Sequence, residues 1–224
     1  MAPPPDWSKP SRIFNAWTQA GSEPTIYLCD SKRSPAVHNH NLHGKLEFLR
    51  QAEKLKSVTR SAHTSTGRRE STAEHSWRLA LLALVFEEDL GDVDICKVLK
   101  LCLVHDFGEA LNGDVPAPEA QAMPDKGMGE RQDLLAITST LEPSLQDNIV
   151  ALFDEYEAAT SAEAKVVKAL DKIETILQHT QGDNPPGFDY AFNLEYGRRY
   201  TDAIPFLAAL RRTLDLETRN CMAR

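Results

Sequence analysis

Hydrophobic side chains recur at a helical spacing along most of the chain, beginning at Leu46. A period of about 3.6 residues places such positions on one face of an α-helix, where they can pack against a core. No segment shows the two-residue alternation that a convincing strand requires. We therefore expect an all-α bundle of about six helices, with helical segments near 46–57, 72–88, 94–111, 129–141, 143–156, 161–181 and 198–216.

Local signals mark several helix ends. Ser71 and Glu74 stand three residues apart in the pattern of a capping box, which starts the helix over 72–88. Ser161 is placed to cap the long helix that follows it, and Pro205 interrupts the last one. On the helix over 72–88, four residues have the spacing of a core-facing stripe: Trp77, Leu81, Leu84 and Val85.

The first 44 residues differ from the rest because they are rich in proline and lack a helical period. We interpret residues 1–44 as an irregular N-terminal arm and residues 45–224 as one helical domain with a C-terminal helix. His38, His40 and His43 near the end of the arm suggest a metal site, but no carboxylate or cysteine accompanies them. A solvated polar loop is therefore the favoured interpretation of this cluster.

Charge and composition narrow the range of partners. The formal net charge is −8 and no dense run of Lys and Arg occurs, which argues against binding to polymeric nucleic acid. A small anionic ligand needs only one or two arginines and stays possible. No apolar run reaches the length of a membrane span, and the N-terminus lacks the order of a secretory signal. Four cysteines without paired spacing indicate reduced thiols and a cytoplasmic protein.

Three features along the chain carry candidate metal chemistry: His75, the pair His105-Asp106, and Asp171. Taken singly, each has an ordinary explanation, such as a surface or core histidine, or a partner for a neighbouring lysine. Together, two imidazoles and two carboxylates form a complete ligand set for one divalent ion, with Mn, Co, Mg, Fe and Zn as candidates. A bound cation would also explain why Asp171 lies in an otherwise apolar helix.

The order His, His-Asp, Asp resembles the HD superfamily of metal-dependent phosphohydrolases, which have a helical fold. The chain is similar in particular to the 5′-deoxynucleotidase branch of that superfamily. The resemblance rests on AEHS at 73–76, HDFGEALNGDVP at 105–116 and VKALDK at 167–172, and it covers roughly residues 46–180. It implies that His75, His105, Asp106 and Asp171 bind the metal.

The resemblance also implies roles for residues outside the metal ligands. Arg60 matches the arginine that contacts the substrate phosphate, while Arg68 and Arg69 are further candidates for that pocket. Glu109 and Asp114 match the carboxylates that activate water and that protonate the leaving group or contact the sugar, in an order that the sequence leaves open. Ser61 replaces an aromatic residue of the family, so base and sugar preference stay open as well.

These residues predict a hydrolase of phosphomonoesters, namely a 5′-nucleotidase acting on (deoxy)nucleoside monophosphates, and possible homodimers follow from the resemblance. One alternative is an HD-fold di-iron oxygenase or cyclic-nucleotide phosphodiesterase, whose second metal needs additional histidines. No histidine occurs between Asp106 and Asp171, which favours a single metal. The other alternative is a non-enzymatic nucleotide sensor, which we would expect to lack a ligand or Glu109.

Overall fold

The helix Ala162–Gln181 packs against most of the other long helices in this computed structural model, which describes residues 41–116, 119 and 126–223. As predicted, Ser161 caps the helix, and its hydroxyl oxygen accepts a hydrogen bond from the backbone N–H of Ala164 at 3.0 Å. The buried side of the helix carries Val166, Val167, Leu170, Ile173 and Ile176, which form much of the core. This long helix therefore supplies the frame on which the candidate site is built.

Ten α-helices occur in the described part of the chain, and the predicted all-α class is confirmed. In chain order they are α1 (Leu42–Ala52), α2 (Thr72–Val85), α3 (Ile95–Val104), α4 (Glu109–Asn112), α5 (Lys126–Thr138), α6 (Pro143–Ala158), α7 (Ala162–Gln181), α8 (Ala191–Glu195), α9 (Arg198–Thr201) and α10 (Pro205–Met222). Short 3₁₀ turns cover Glu53–Lys56 and Glu87–Asp89. The number exceeds the expected six because short helices fill several connections, and Pro205 begins α10 instead of interrupting a longer helix.

A β-hairpin precedes α2, and the expectation that the chain has no strand is wrong here. Strand β1 (Thr59–His63) pairs antiparallel with β2 (Arg69–Ser71), and Gly67 adopts a φ of +82° in the turn between them. The side chains that point inward from the hairpin include Arg60 and Glu70, which are charged. Because these inward-pointing side chains are charged, the strands do not show an alternation of apolar and polar residues in the sequence.

The expected helix over 94–111 is also divided in the structure. α3 ends at Val104, four residues form a turn with i→i+3 backbone hydrogen bonds, and α4 begins at Glu109. Gly108 lies in this turn, where a Cβ atom would be 2.5 Å from the backbone oxygen of Glu130 in α5. The close packing of this turn against α5 thus requires glycine at position 108. This contact lies where the helix is broken between α3 and α4.

The assignment of Trp77, Leu81, Leu84 and Val85 to the core is wrong. Their exposed fractions are 63%, 42%, 48% and 67%, whereas Leu79 and Ala83 of the same helix are fully buried. The two stripes differ by two positions, or about 200° of rotation around the helix, so they occupy nearly opposite faces. α2 packs against α3 and α7 through the stripe that contains Leu79, Ala83 and His75.

The N-terminal arm predicted over 1–44 lies largely outside the described residues. His38 and His40 also lie outside the described residues, whereas His43 is described and is exposed in α1. Among the residues that are described, no helix combines the length and the hydropathy that crossing a membrane demands.

Candidate active site

His75 lies in the first turn of α2, which begins with the predicted capping box between Ser71 and Glu74. Its Nδ1 atom forms a short hydrogen bond with the Glu174 carboxylate of α7, and both side chains are buried. Arg78 donates a hydrogen bond from Nε to the other oxygen of Glu174 at 2.6 Å. With Nδ1 held in this way, the ring has a fixed orientation and its Nε2 atom is available for other partners.

His105 and Asp106 lie in the turn after α3. The Nδ1–H group of His105 donates to the backbone carbonyl of Cys102 at 2.9 Å, which leaves Nε2 free of a proton in the neutral ring. The Nε2 atom of His105 is 3.1 Å from Oδ2 of Asp106. The local backbone therefore orients the imidazole so that Nε2 and the neighbouring carboxylate face the same space.

The structure brings all four predicted metal ligands together. Ligand atoms of His75, His105 and Asp106 lie within 4.8 Å of one another. Oδ1 of Asp171 is 3.3 Å from Nε2 of His75. The Nε2 atoms of both histidines are buried and have no hydrogen-bond partner among the described residues. Two unpartnered imidazole nitrogens beside two carboxylates fit the coordination chemistry of a borderline divalent cation.

The second oxygen of Asp171 is fixed by two donors. Oδ2 accepts hydrogen bonds from the Tyr156 hydroxyl and from Nζ of Lys172, each at 2.8 Å. Burial by itself would raise the pKa of Asp171, but the positive charges of Lys172 and His75 outweigh it and hold the pKa well below the usual range. Asp171 is thus an ionised carboxylate with Oδ1 directed at His75.

Negatively charged carboxylates surround the imidazole of His75. Burial and the charge of Arg60 would lower the pKa of His75, yet the carboxylates of Glu174 and Asp171 raise it to about 10. The negative charges around this ring therefore stabilise a positive charge at its position. A metal ion would take the place of a proton on this ring, because a metal-bound imidazole must be neutral on the coordinating nitrogen.

Arg60 projects from β1 into the same region. Its guanidinium donates to Oδ2 of Asp106 and to Oγ1 of Thr175, each at 3.2 Å, and Nε lies 3.8 Å from Glu70. The side chain is mostly buried, with 13% of its surface exposed. The strand and these three contacts therefore hold Arg60 beside the candidate metal ligands.

Glu109 and Asp114 also lie at this site. Thr72 donates to Oε2 of Glu109 at 3.1 Å, and Lys126 Nζ is 3.9 Å from Oε1. Burial, together with repulsion from the carboxylates of Asp106 and Asp114, raises the pKa of Glu109 to about 10. Asp114 follows Gly113, whose φ of +87° turns the chain after α4.

Arg68 and Arg69 are not brought to the site. Arg68 is 59% exposed and forms a two-pronged ion pair with Glu74 at the start of α2. Arg69 donates from Nε to the backbone carbonyl of Arg60 at 2.7 Å and is itself exposed. Both arginines thus have contacts on the hairpin surface.

A cavity of about 860 Å³ opens beside the cluster. Its lining includes six of the residues predicted to form the site, namely Arg60, His105, Asp106, Glu109, Asp114 and Asp171. The sequence model of the HD domain family matches residues 52–211, which is more than half of the chain and contains all of these positions. The chain belongs to the HD domain family.

Relatives of this HD-domain protein include the human 5′-deoxynucleotidase HDDC2, which is 35% identical over 153 residues, covering 67% of this chain and 74% of the relative. The Dictyostelium discoideum 5′-deoxynucleotidase HDDC2 is 33% identical over 149 residues, covering 63% of this chain and 78% of the relative. These matches confirm the family resemblance and the hydrolase class predicted from the sequence.

A solved structure supports the same assignment. A protein described as a predicted metal-dependent phosphohydrolase from Magnetospirillum magnetotacticum MS-1 superimposes on this HD-domain protein with a TM-score of 0.71. The two are 28% identical, and the alignment covers 80% of this chain and 93% of that one.

The sequence interpretation missed Glu174, the buried partner of His75. Glu174 follows Asp171 by three residues, so both lie on one face of α7, and both are buried. A second carboxylate at this spacing in a buried helix was a signal for a residue that supports a metal ligand. Tyr156 and Thr175 were missed because their contacts with Asp171 and Arg60 join segments that are separated in the sequence.

Glu174→Ala is expected to weaken divalent-metal affinity by about 10- to 100-fold, because His75 would lose the partner that orients its ring. Glu174→Gln should weaken it less, since an amide oxygen can still accept the Nδ1–H hydrogen bond. The affinity is measured by competition with a chromophoric chelator. Glu163→Gln on the same helix is the matched control, and an unchanged affinity in Glu174→Ala would contradict the role assigned to Glu174.

Proposed function

We propose that this HD-domain protein is a cytoplasmic phosphohydrolase that uses one divalent metal ion to hydrolyse (deoxy)nucleoside 5′-monophosphates. The family and its 5′-deoxynucleotidase relatives support the reaction class and the small nucleotide substrate. The observation that carries the metal requirement is the pair of buried, unpartnered Nε2 atoms of His75 and His105 next to two carboxylates. Homodimer formation and the lack of polymeric nucleic acid among the substrates stay predictions from the sequence.

His75, His105, Asp106 and Asp171 would hold the ion. When bound, such an ion supplies a water molecule of lowered pKa and neutralises charge on the phosphate. The strongly lowered pKa of Asp171 supports its inclusion, because the carboxylate stays ionised and able to coordinate. These four residues come from α2, α7 and the turn after α3, so packing of the bundle completes the site.

Arg60 would bind the phosphate through two charge-assisted hydrogen bonds, for which a planar guanidinium is suited. Water attacks phosphorus while the bond to the 5′-oxygen of the nucleoside breaks. Glu109 accepts the proton of the attacking water, and Asp114 gives a proton to the departing oxygen. The raised pKa means that an ionised Glu109 is a strong base, and the positive charge of a bound cation would favour this ionised form.

A two-metal enzyme is the main alternative, and the residues around His75 argue against it. Glu70, His75 and Glu174 form a second group of potential ligands. Arg78 is hydrogen-bonded to Glu174, and Arg60 is 3.8 Å from Glu70, so two positive charges already compensate these carboxylates.

A phosphate-release screen tests the proposed function. The purified protein is incubated with deoxynucleoside monophosphates, ribonucleoside monophosphates and a cyclic nucleotide, and inorganic phosphate is measured with and without a chelator. We expect release from the deoxynucleoside monophosphates and its loss on chelation. Opening of the cyclic nucleotide without phosphate release would favour the phosphodiesterase alternative, and binding without any turnover would favour the sensor.

Glu109→Gln should lower kcat by on the order of 10²-fold or more while metal content stays that of the parent, because proton transfer is lost but no ligand is removed. Steady-state kinetics and elemental analysis are carried out on the same preparation. Glu157→Gln is the control, since Glu157 lines the same cavity but pairs with Lys168 at 3.0 Å. Loss of the metal from Glu109→Gln would instead make Glu109 a ligand.

A further inference from the structure

The cavity extends beyond the residues that the proposed reaction uses. Its lining also includes aromatic side chains from the segment 188–200, namely Phe188, Phe192, Tyr196 and Tyr200. A volume of about 860 Å³ is that of a pocket for a whole small molecule and far exceeds what a metal ion and a phosphate group fill. Part of this space is therefore available to the organic portion of the substrate.

A series of contacts leads from the metal ligands to this aromatic wall. Lys172 Nζ is 2.8 Å from Oδ2 of Asp171 and 5.0 Å from the ring centroid of Tyr196. The rings of Tyr196 and Phe192 follow, with centroids 4.8 Å apart and planes inclined by 32°. Two aromatic rings thus lie one lysine side chain away from the candidate ligand Asp171.

Gly197 fixes the position of this segment against α7. A Cβ atom at Gly197 would lie 2.4 Å from Cγ of Lys172, and the residue has a φ of +70°. Any larger residue would push the segment away from Lys172 or displace the lysine. The aromatic wall is thus seated on the helix that carries Asp171 by a close backbone approach.

We propose that Phe192 and Tyr196 form the subsite for the nucleobase, an inference that rests on the proposed function and deepens it. Stacking on aromatic rings suits this ligand because every base presents a π-face. Ser61 and Ala62, which line the cavity on the hairpin side, are too small to stack on a base. The aromatic contacts available from the described residues therefore come mainly from the segment 188–200.

Phe192 is half-buried, whereas Tyr196 packs against the main core. Phe192 is therefore the better residue to test. Truncation of Phe192 therefore removes a face of the cavity with less damage to the fold. Phe86 provides a matched control: it is half-buried and pairs with Phe206 at a centroid distance of 5.2 Å, outside the residues that line the cavity.

The test compares kcat/KM for a deoxynucleoside monophosphate with kcat/KM for 2-deoxyribose 5-phosphate, which has the same phosphate and sugar but no base. In Phe192→Ala, the ratio of the two constants should fall about tenfold or more, as expected when one stacking contact is lost. Phe192→Leu, which keeps an apolar side chain, should show a reduced ratio as well. Phe86→Ala should keep the ratio of the parent.

The outcomes separate this inference from the function on which it rests. If the parent hydrolyses the nucleotide but Phe192→Ala and Phe192→Leu keep the parent ratio, the subsite is overturned and the phosphohydrolase is retained. If the parent releases phosphate from neither compound, the proposed function fails and this inference fails with it. Thermal unfolding of each variant identifies a variant that has lost its fold, and the ratio is then taken from the other.

Discussion

His105→Ala is expected to abolish both metal binding and hydrolysis. The imidazole is buried, and the hydrogen bond from its Nδ1 to the Cys102 carbonyl orients Nε2 toward the other candidate ligands. Several kcal/mol of metal-dependent stabilisation of the transition state corresponds to a loss on the order of 10³-fold in kcat. Elemental analysis and phosphate release are measured on the same preparation.

His43→Ala is the control for this variant, because His43 is an exposed histidine on α1. It should keep the metal content and the turnover of the parent. A His105→Ala protein that is folded, retains its metal and hydrolyses the substrate would contradict the assignment of His105 as a ligand.

Arg60→Ala should lower kcat/KM by about 10²- to 10³-fold, which is the usual cost of removing a donor that stabilises charge in the transition state. The guanidinium lines the cavity and is aligned by Asp106 and Thr175, so it can donate to phosphoryl oxygens as their charge increases. Arg60→Lys should restore only part of the loss, because lysine supplies charge without the planar pair of donors. Metal content is determined in parallel and should match that of the parent.

Arg68→Ala is the matched control for Arg60→Ala, since both arginines belong to the same hairpin region but Arg68 is exposed and paired with Glu74. We expect its kcat/KM to stay within about twofold of the parent value, as exposed ion pairs contribute little. A large loss in Arg68→Ala together with normal hydrolysis by Arg60→Ala would place the phosphate contact at Arg68.

The parts of the site that the sequence predicted are those with strong local signals. The capping box of Ser71 and Glu74 fixes the start of α2, and this places His75 one turn into the bundle. Asp171 stands among apolar residues of a long, capped helix, so its burial followed from the helical period. In both cases the local pattern and the tertiary packing favour the same arrangement.

The parts that were missed depend on contacts between distant segments. α2 has apolar residues on two opposite faces, and only packing against α3 and α7 selects Leu79 and Ala83 over Trp77 and Leu81. The hairpin was missed because the charged Arg60 and Glu70 point inward, where Asp106 and Thr175 provide the partners for the arginine. Hydrophobic periodicity contains no information about such partners.

Reconstitution of the metal-free protein tests most directly whether hydrolysis requires one metal ion per chain. The protein is stripped with a chelator and titrated with a divalent cation, while bound metal and phosphate release from a deoxynucleoside monophosphate are recorded at each step. We predict no release from the metal-free protein, followed by activity that rises in proportion to bound metal and levels off at one ion per chain. Activity that levels off only at two ions per chain, or full release from the metal-free protein, would contradict a single-metal phosphohydrolase.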